Sequence, residues 1–265
     1  MTDCNGTSVD YDYRRNCHTL GGAAAAFTAL LEGTIPSSML DVGCGPGTWM
    51  RAALDNGVRD VYGIDGAVIP AAEMLVPSEL VRQVDLTRLW SIGRRFDTVL
   101  CLEVAEHIDE SSAEGLVRAL TAHSDRVVFS AACPGQPGQH HVNCRWPDYW
   151  QRLFNHVGYA CSDAVRWQIW DDERIEVWYR QNLFIASQCA SAGSEDRIRA
   201  VVHPGMLPSM CRHAVASAGT ARLKAIEDGA MPTRWYATAS IRGLAAKAVR
   251  RLARRTASRL HAHSE

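Results

Sequence analysis

Glu103, Glu106 and His107 place two carboxylates and an imidazole within five residues, directly after the apolar run Thr98-Val99-Leu100-Cys101-Leu102. On a helical turn, residues at i, i+3 and i+4 share a face, so this spacing can converge all three side chains on one ion. Carboxylate and imidazole donors suit a hard or borderline divalent cation such as magnesium or manganese. No paired cysteines stand nearby to suggest structural zinc. A simpler assignment stays open at this point, in which Glu103 binds a cofactor or caps the next helix and His107 hydrogen-bonds a backbone carbonyl.

Such a cluster needs a rigid frame. The run from Phe96 to Leu102 reads as a buried parallel strand, and the carboxyl end of such a strand opens onto the crevice where open α/β sheets bind ligands. Between residues 38 and 186 short apolar runs alternate with longer helical ones, as in a parallel sheet wrapped by helices. Strands are expected near 38–42, 60–65, 80–86, 96–102, 126–131, 160–169 and 177–186. Helices are expected from Thr48, over 112–123 and over 147–157, the last opened by Pro147 and closed by Gly158. The whole is an α/β, Rossmann-like, seven-stranded and mostly parallel sheet with a C-terminal helical extension. Its expected parts are an N-terminal cap over 1–37 whose Ala-rich helix covers the crevice, a cofactor-binding domain over 38–186, and a linker with a basic helical extension over 187–265.

The first strand runs into Asp41-Val42-Gly43-Cys44-Gly45-Pro46-Gly47-Thr48. Glycines there let the backbone turn tightly and approach a ligand closely. The spacing is G-x-G-x-G rather than the G-x-G-x-x-G of dinucleotide binders, and Asp41 precedes it. A pyrophosphate would be repelled by that carboxylate, whereas a cationic amino-acid ligand would be attracted, which points to S-adenosylmethionine. Asp65 ends the second strand about 20 residues on, where ribose hydroxyls are held. Asp85 follows the third strand, within reach of an adenine amino group.

Over roughly residues 35–186 this ordered set of glycine loop, Asp65, Asp85 and acidic fourth-strand end resembles the class I S-adenosylmethionine-dependent methyltransferases. That resemblance implies a cofactor site of Asp41, Gly43, Gly45, Gly47, Asp65, Asp85 and Glu103. The Glu103-x-x-Glu106-His107 run also resembles that of the small-RNA terminal 2'-O-methyltransferases and the ubiquinone-pathway O-methyltransferases. It implies Glu103, Glu106 and His107 as metal ligands, with a further histidine after the fifth strand. His141 is the first choice within Pro134-Gly135-Gln136-Pro137-Gly138-Gln139-His140-His141, as fourth ligand or as the base that takes the acceptor's proton. His107 is a catalytic candidate beside it. The aromatic stretch from Trp146 through Tyr149, Trp150, Tyr159, Trp167, Trp170 and Trp178 to Tyr179 suits core packing and also stacking on a sugar face. The polar residues Asp171–Arg174 and Arg180–Asn182 would read sugar hydroxyls or solvate a hairpin. These stretches are similar to bacterial methyltransferases of glycan and secondary-metabolite modification, a group that includes the sugar 1-O-methyltransferase of methylmannose polysaccharide biosynthesis.

The implied reaction is O-methylation of a sugar hydroxyl on a small-molecule or oligosaccharide substrate. The alternatives are a catechol-like or RNA 2'-hydroxyl acceptor, and a non-catalytic S-adenosylmethionine-binding protein with a partner-docking tail. With 28 Lys and Arg against 29 Asp and Glu, overall charge argues neither for a nucleic-acid nor for an acidic partner, and the core has no strong basic run of the kind an RNA groove would need, so a nucleic-acid partner is not expected. The basic helix from Ile241, with Arg250, Arg251, Arg254 and Arg255, suits packing on its own domain or in a homodimer, and less readily contact with an anionic surface or nucleic acid. Nine cysteines without a Cys-x-x-Cys pair or a secretory leader read as reduced thiols in a cytoplasmic protein. No apolar run approaches the roughly 20 residues that span a bilayer.

Overall fold

The computed structural model describes residues 11–13, 18–31 and 33–227. Strands β1 (Ser38–Val42), β2 (Asp60–Asp65), β3 (Val81–Gln83), β4 (Thr98–Leu102), β5 (Arg126–Ser130), β6 (Tyr159–Ser162) and β7 (Phe184–Gln188) form one sheet in the order β3-β2-β1-β4-β5-β7-β6. All pairings are parallel except those of β7, which runs antiparallel to both β5 and β6. Strand order reverses between β1 and β4, so the carboxyl ends of these neighbours flank the crevice of an open α/β sheet.

Both faces of the sheet are covered, which is why β4 reads as an unbroken apolar run. On one face Leu40, Val42, Val99 and Cys101 pack with Leu116 and Leu120 of helix α3 (Glu110–His123) and with Phe154 of α4 (Pro147–His156). On the other, Met39, Leu100 and Leu102 meet Phe27 of α1 (Leu20–Leu31) and Met50 of α2 (Thr48–Asp55). The buried set Ala23, Ala26, Phe27 and Leu30 follows helical spacing and docks α1 on α2. The Ala-rich helix therefore joins the outer layer. Among the described residues of the N-terminal cap, 11–13 reach the crevice.

Several expected boundaries are corrected. The run 160–169 is a strand only over β6, after which α5 (Ala164–Gln168) begins. The run 177–186 divides into α6 (Val177–Asn182) and then β7, so no hairpin joins the last two strands. Valine, tryptophan and tyrosine in these helices carry strand propensity, and packing overrides it. Strand β3 is three residues long rather than seven. Beyond β7, residues 189–203 form no helix or strand, and the stretch to Met206 is pinned to the core through buried Ile198, His203 and Met206. Helix α7 (Leu207–Glu227) follows. Compactness divides the chain into Met1–His213 and Ala214–Glu265. The basic helix expected from Ile241 lies outside the described residues. Every cysteine among the described residues is a free thiol. No helix among the described residues is long and apolar enough to cross a membrane.

Candidate functional site

One half of the candidate site, termed the donor half for the cofactor expected there from sequence, is built from the ends of β1 and β2. Gly43 turns the chain with φ 76°, and an added Cβ would lie 2.3 Å from Val104 Cγ2. Only glycine accepts both the left-handed backbone and that approach. The loop then opens α2 with Gly47, also left-handed, at its N-cap. Asp65 clamps the loop from across the sheet: its Oδ2 accepts from Gly45 N at 2.8 Å, and its Oδ1 accepts from Ala67 N at 2.8 Å and from the Tyr13 hydroxyl at 2.9 Å. Asp41 is 3% exposed with Oδ2 unpartnered. Burial, and secondarily the nearby Asp65 carboxylate, push its pKa up to about 8. An orphaned carboxylate oxygen in that position suits a cationic group. Asp85 stands apart. It lies two residues beyond β3, exposed, with its carboxylate taken by Thr87 and Arg88.

The other half, termed the acceptor half for the substrate expected there, forms at the end of β4. Glu103 leaves the strand in a left-handed conformation, φ 55°, fixed by its N–H donating to Ser130 O at 3.0 Å and Ser130 Oγ at 3.1 Å. Ala105–His107 then make a single 3₁₀ turn. No continuous helical turn spans 103–107, so the expected convergence of all three side chains does not form in that way. Glu103 instead accepts from Gln136 Nε2 at 2.6 Å and Asn182 Nδ2 at 3.2 Å, and these two amides bond each other at 2.9 Å.

The loop after β5 supplies the replacement. Val142 N and Asn143 N both donate to Glu106 O at 2.9 Å, which draws the loop onto the 3₁₀ turn. Glu106, His107 and His141 thereby bring one ligand atom each within 4.8 Å of one another. His141 Nε2 lies 3.8 Å from Glu106 Oε1, and the two imidazoles stand edge to face at 5.1 Å. His107 Nδ1 lies 3.3 Å from His140 O and His141 Nδ1 lies 3.2 Å from Gln136 O. A carbonyl can only accept, so these contacts suit the tautomer with the proton on Nδ1 and the lone pair on Nε2, while Cys144 Sγ also lies 3.5 Å from His141 Nδ1.

Electrostatics in the trio follow from burial. Glu106 is 1% exposed with Oε2 unpartnered, and burial together with Glu103 pushes its pKa well up. Burial and the neighbouring His141 push His107 down to about 4, and burial lowers His141 as well. All three side chains are thus driven neutral without a positive partner. A divalent cation reverses that balance, and the donor set of one carboxylate oxygen and two imidazole nitrogens fits one. A cleft with about 380 Å³ of empty volume opens onto the trio, lined also by Glu103, Gln136, Gly138, Tyr11 and Trp178.

Of the expected site residues, the structure gathers Asp41, Gly43, Gly45 and Asp65 in the donor half and Glu106, His107 and His141 in the acceptor half. Glu103 borders the cleft outside the trio. The clasp of Gln136 and Asn182, and the contacts of Tyr11 and Tyr13, were not assigned from sequence. The tyrosines' only signal was their aromatic character in a polar lead. Among the aromatic residues, Trp150, Tyr159 and Tyr179 are core, Trp167 is exposed, and Trp178 reaches the cleft.

Comparison with known proteins gives this geometry a context. The profile of the methyltransferase-domain family matches residues 11–188. The magnesium protoporphyrin IX methyltransferase of Arabidopsis thaliana is 28% identical over 102 residues, 37% of this chain and 33% of the relative, so the match spans about a third of that relative's length. The sugar N-methyltransferase KedS8 from Streptoalloteichus superposes with a TM-score of 0.50 at 18% identity, covering 71% of this chain and 99% of that one. This likeness is one of fold. The magnesium protoporphyrin IX methyltransferase of Synechocystis, solved with bound S-adenosylhomocysteine, gives 0.47 at 19% identity, covering 64% and 84%.

Proposed function

The chain belongs to the methyltransferase-domain family; from that premise we propose that it is an S-adenosylmethionine-dependent methyltransferase that methylates a hydroxyl oxygen with the help of a divalent cation, magnesium or manganese, held by Glu106, His107 and His141. The convergence of those three donor atoms within 4.8 Å, beside an unpartnered buried carboxylate oxygen, carries the reading. The acceptor class we propose is a sugar hydroxyl of a glycan or glycosylated metabolite, supported by the open polar cleft with Trp178 and Tyr11 in its walls.

On this reading Asp65 and the Gly43–Gly47 loop bind the donor's nucleoside part, while Asp41 provides negative charge for its amino group. Glu103, held by two amides, fixes the boundary between donor and acceptor. A bound divalent cation would supply acidity to an oxygen ligand, as it does to water. In the transfer the acceptor oxygen forms a bond to the methyl carbon as the sulfur–methyl bond breaks, and the bond's electron pair stays on sulfur. The hydroxyl proton passes to water in the cleft. His141 has one free lone pair, at Nε2, and so cannot be ligand and base together. Its place among the trio's donor atoms favours the ligand role.

The test is methyl transfer from labelled S-adenosylmethionine to a panel of mono- and oligosaccharides, glycosylated metabolites, catechols and short RNA, with and without chelator. Chelation, Glu106→Ala and His107→Ala should each abolish transfer, while S-adenosylhomocysteine still binds. Full activity under chelation would overturn the metal assignment. Transfer by His141→Ala with undiminished metal affinity but a lost acidic pH limb would make His141 the base. Donor binding with no acceptor methylated and no response to metal would favour the non-catalytic alternative.

A further inference from the structure

Tyr13 occupies the carboxylate that the donor needs. Its hydroxyl donates to Asp65 Oδ1 at 2.9 Å, and its ring lies so close over the glycine loop that a Cβ on Gly45 would stand 2.8 Å from Tyr13 Cε1. Asp65 has little capacity to spare. Oδ1 also takes Ala67 N, Oδ2 takes Gly45 N, and the Gly66 amide hydrogen-bonds to the same carboxylate. A carboxylate offers about four acceptor positions. A ribose diol that binds Asp65 must therefore remove a donor already there, and three of the four donors are backbone amides fixed in tight turns. The Tyr13 hydroxyl is the one on a separate segment.

That segment touches both halves of the site. Asp12 N donates to Gln139 Oε1 at 3.2 Å and Gln139 Nε2 donates to Asp12 O at 2.9 Å, fastening residues 11–13 to the same loop that carries His141. Tyr11 packs against Tyr13 at 4.8 Å and stands edge to face with His107 at 5.4 Å. We infer that residues 11–13 form an inhibitory strap: the Tyr13 hydroxyl competes with the donor's ribose for Asp65, and donor binding displaces it, shifting Tyr11 in the acceptor cleft. Donor occupancy and the shape of the acceptor cleft are then linked, since a ligand that binds only the strap-open state shifts the population toward it.

The inference rests on the donor site alone and needs neither the metal nor the sugar. It is tested by calorimetric titration of the full chain with S-adenosylhomocysteine, with no metal and no acceptor. Tyr13→Phe keeps the ring and removes the hydroxyl, so it should bind S-adenosylhomocysteine about tenfold tighter than wild type. Gln139→Ala releases the other fastening and should also tighten binding, by about threefold. Unchanged or weaker binding in either variant overturns the strap. Weaker binding by Tyr13→Phe would identify the hydroxyl as a donor contact in the bound state. Hydrogen exchange at the Asp12 amide gives an independent measure: it should accelerate when S-adenosylhomocysteine is added to wild type, and unchanged protection would equally overturn the proposal.

Discussion

The donor and acceptor halves of this site face the same crevice, but they are assembled in different ways. The donor half is a contiguous motif. Gly43, Gly45 and Gly47 follow β1 directly, and Asp65 closes the next strand, so local backbone geometry and one parallel pairing place every part. The acceptor half depends on long-range tethers: Gln136 and Asn182 reach Glu103 from 33 and 79 residues away. His141 arrives only because Val142 and Asn143 bond the carbonyl of Glu106. One half is specified by backbone permissiveness and the other by side-chain amides on separate elements. Substitutions should therefore separate them.

The largest effect is expected from Gly43→Ala. A left-handed backbone costs a non-glycine residue roughly 1–2 kcal/mol, and crowding of the kind an added methyl meets at Val104 costs about 1–3 kcal/mol more. Together these should weaken S-adenosylhomocysteine binding by about 10²-fold in calorimetry. Metal affinity should fall by less, because the clash reaches the trio only through Val104, whose carbonyl accepts from His107 N at 3.0 Å. Equal loss of both affinities would mean that the halves are not separable.

The converse substitution acts on the tethers. Asn182→Ala or Gln136→Ala removes one charge-assisted hydrogen bond from Glu103 and should lower kcat about 10- to 100-fold. Donor affinity should change little, and Gln136→Glu should not rescue, since a second carboxylate repels the first. Gly138→Ala is expected to do less. A Cβ there would lie 1.9 Å from His141 Nε2, so the ring must shift and kcat should drop about tenfold with folding unaffected. A compensating backbone movement in the loop would show as unchanged kcat.

The contrast also explains what the sequence made legible. The parallel sheet, the glycine loop and the Pro147–Gly158 helix bounds are local patterns with a physical cause in consecutive residues. The histidine after β5 could be anticipated from a resemblance. The clasp on Glu103 could not, because a lone Gln136 in a loop and an Asn182 ending a short helix carry no spacing that points to a partner. The same holds for α5 and α6. Their five and six residues give too little periodicity to outweigh Val165, Trp167, Val177 and Tyr179, which read as strand. Glu103 shows the limit most clearly, since its left-handed backbone takes it out of the helical register that its spacing with Glu106 and His107 suggests.

The smallest effect distinguishes the halves by the sign of their protonation. In the donor half, folded Asp41 keeps its proton up to about pH 8, against 3.8 for an ordinary aspartate. Across that window the unfolded chain binds fewer protons, so ionisation costs the folded protein stability as pH rises. In the acceptor half His107 is depressed to about 4 from 6.5, so over its own window the unfolded chain binds more protons and stability increases with pH. The two contributions oppose one another below pH 6.5, and above it only the carboxyl groups remain. The melting temperature of the metal-free protein should therefore fall between pH 6.5 and 8, with Asp41 contributing at most about 1.4 kcal/mol per pH unit. Glu106 acts in the same direction, so Asp41→Asn should reduce the slope without removing it, while His107→Gln should leave that window unchanged and flatten the rise below it. If Asp41→Asn left the slope above pH 6.5 at its wild-type value, the unpartnered oxygen of Asp41 would already be ionised. The donor half would then hold its negative charge before any cationic ligand arrives.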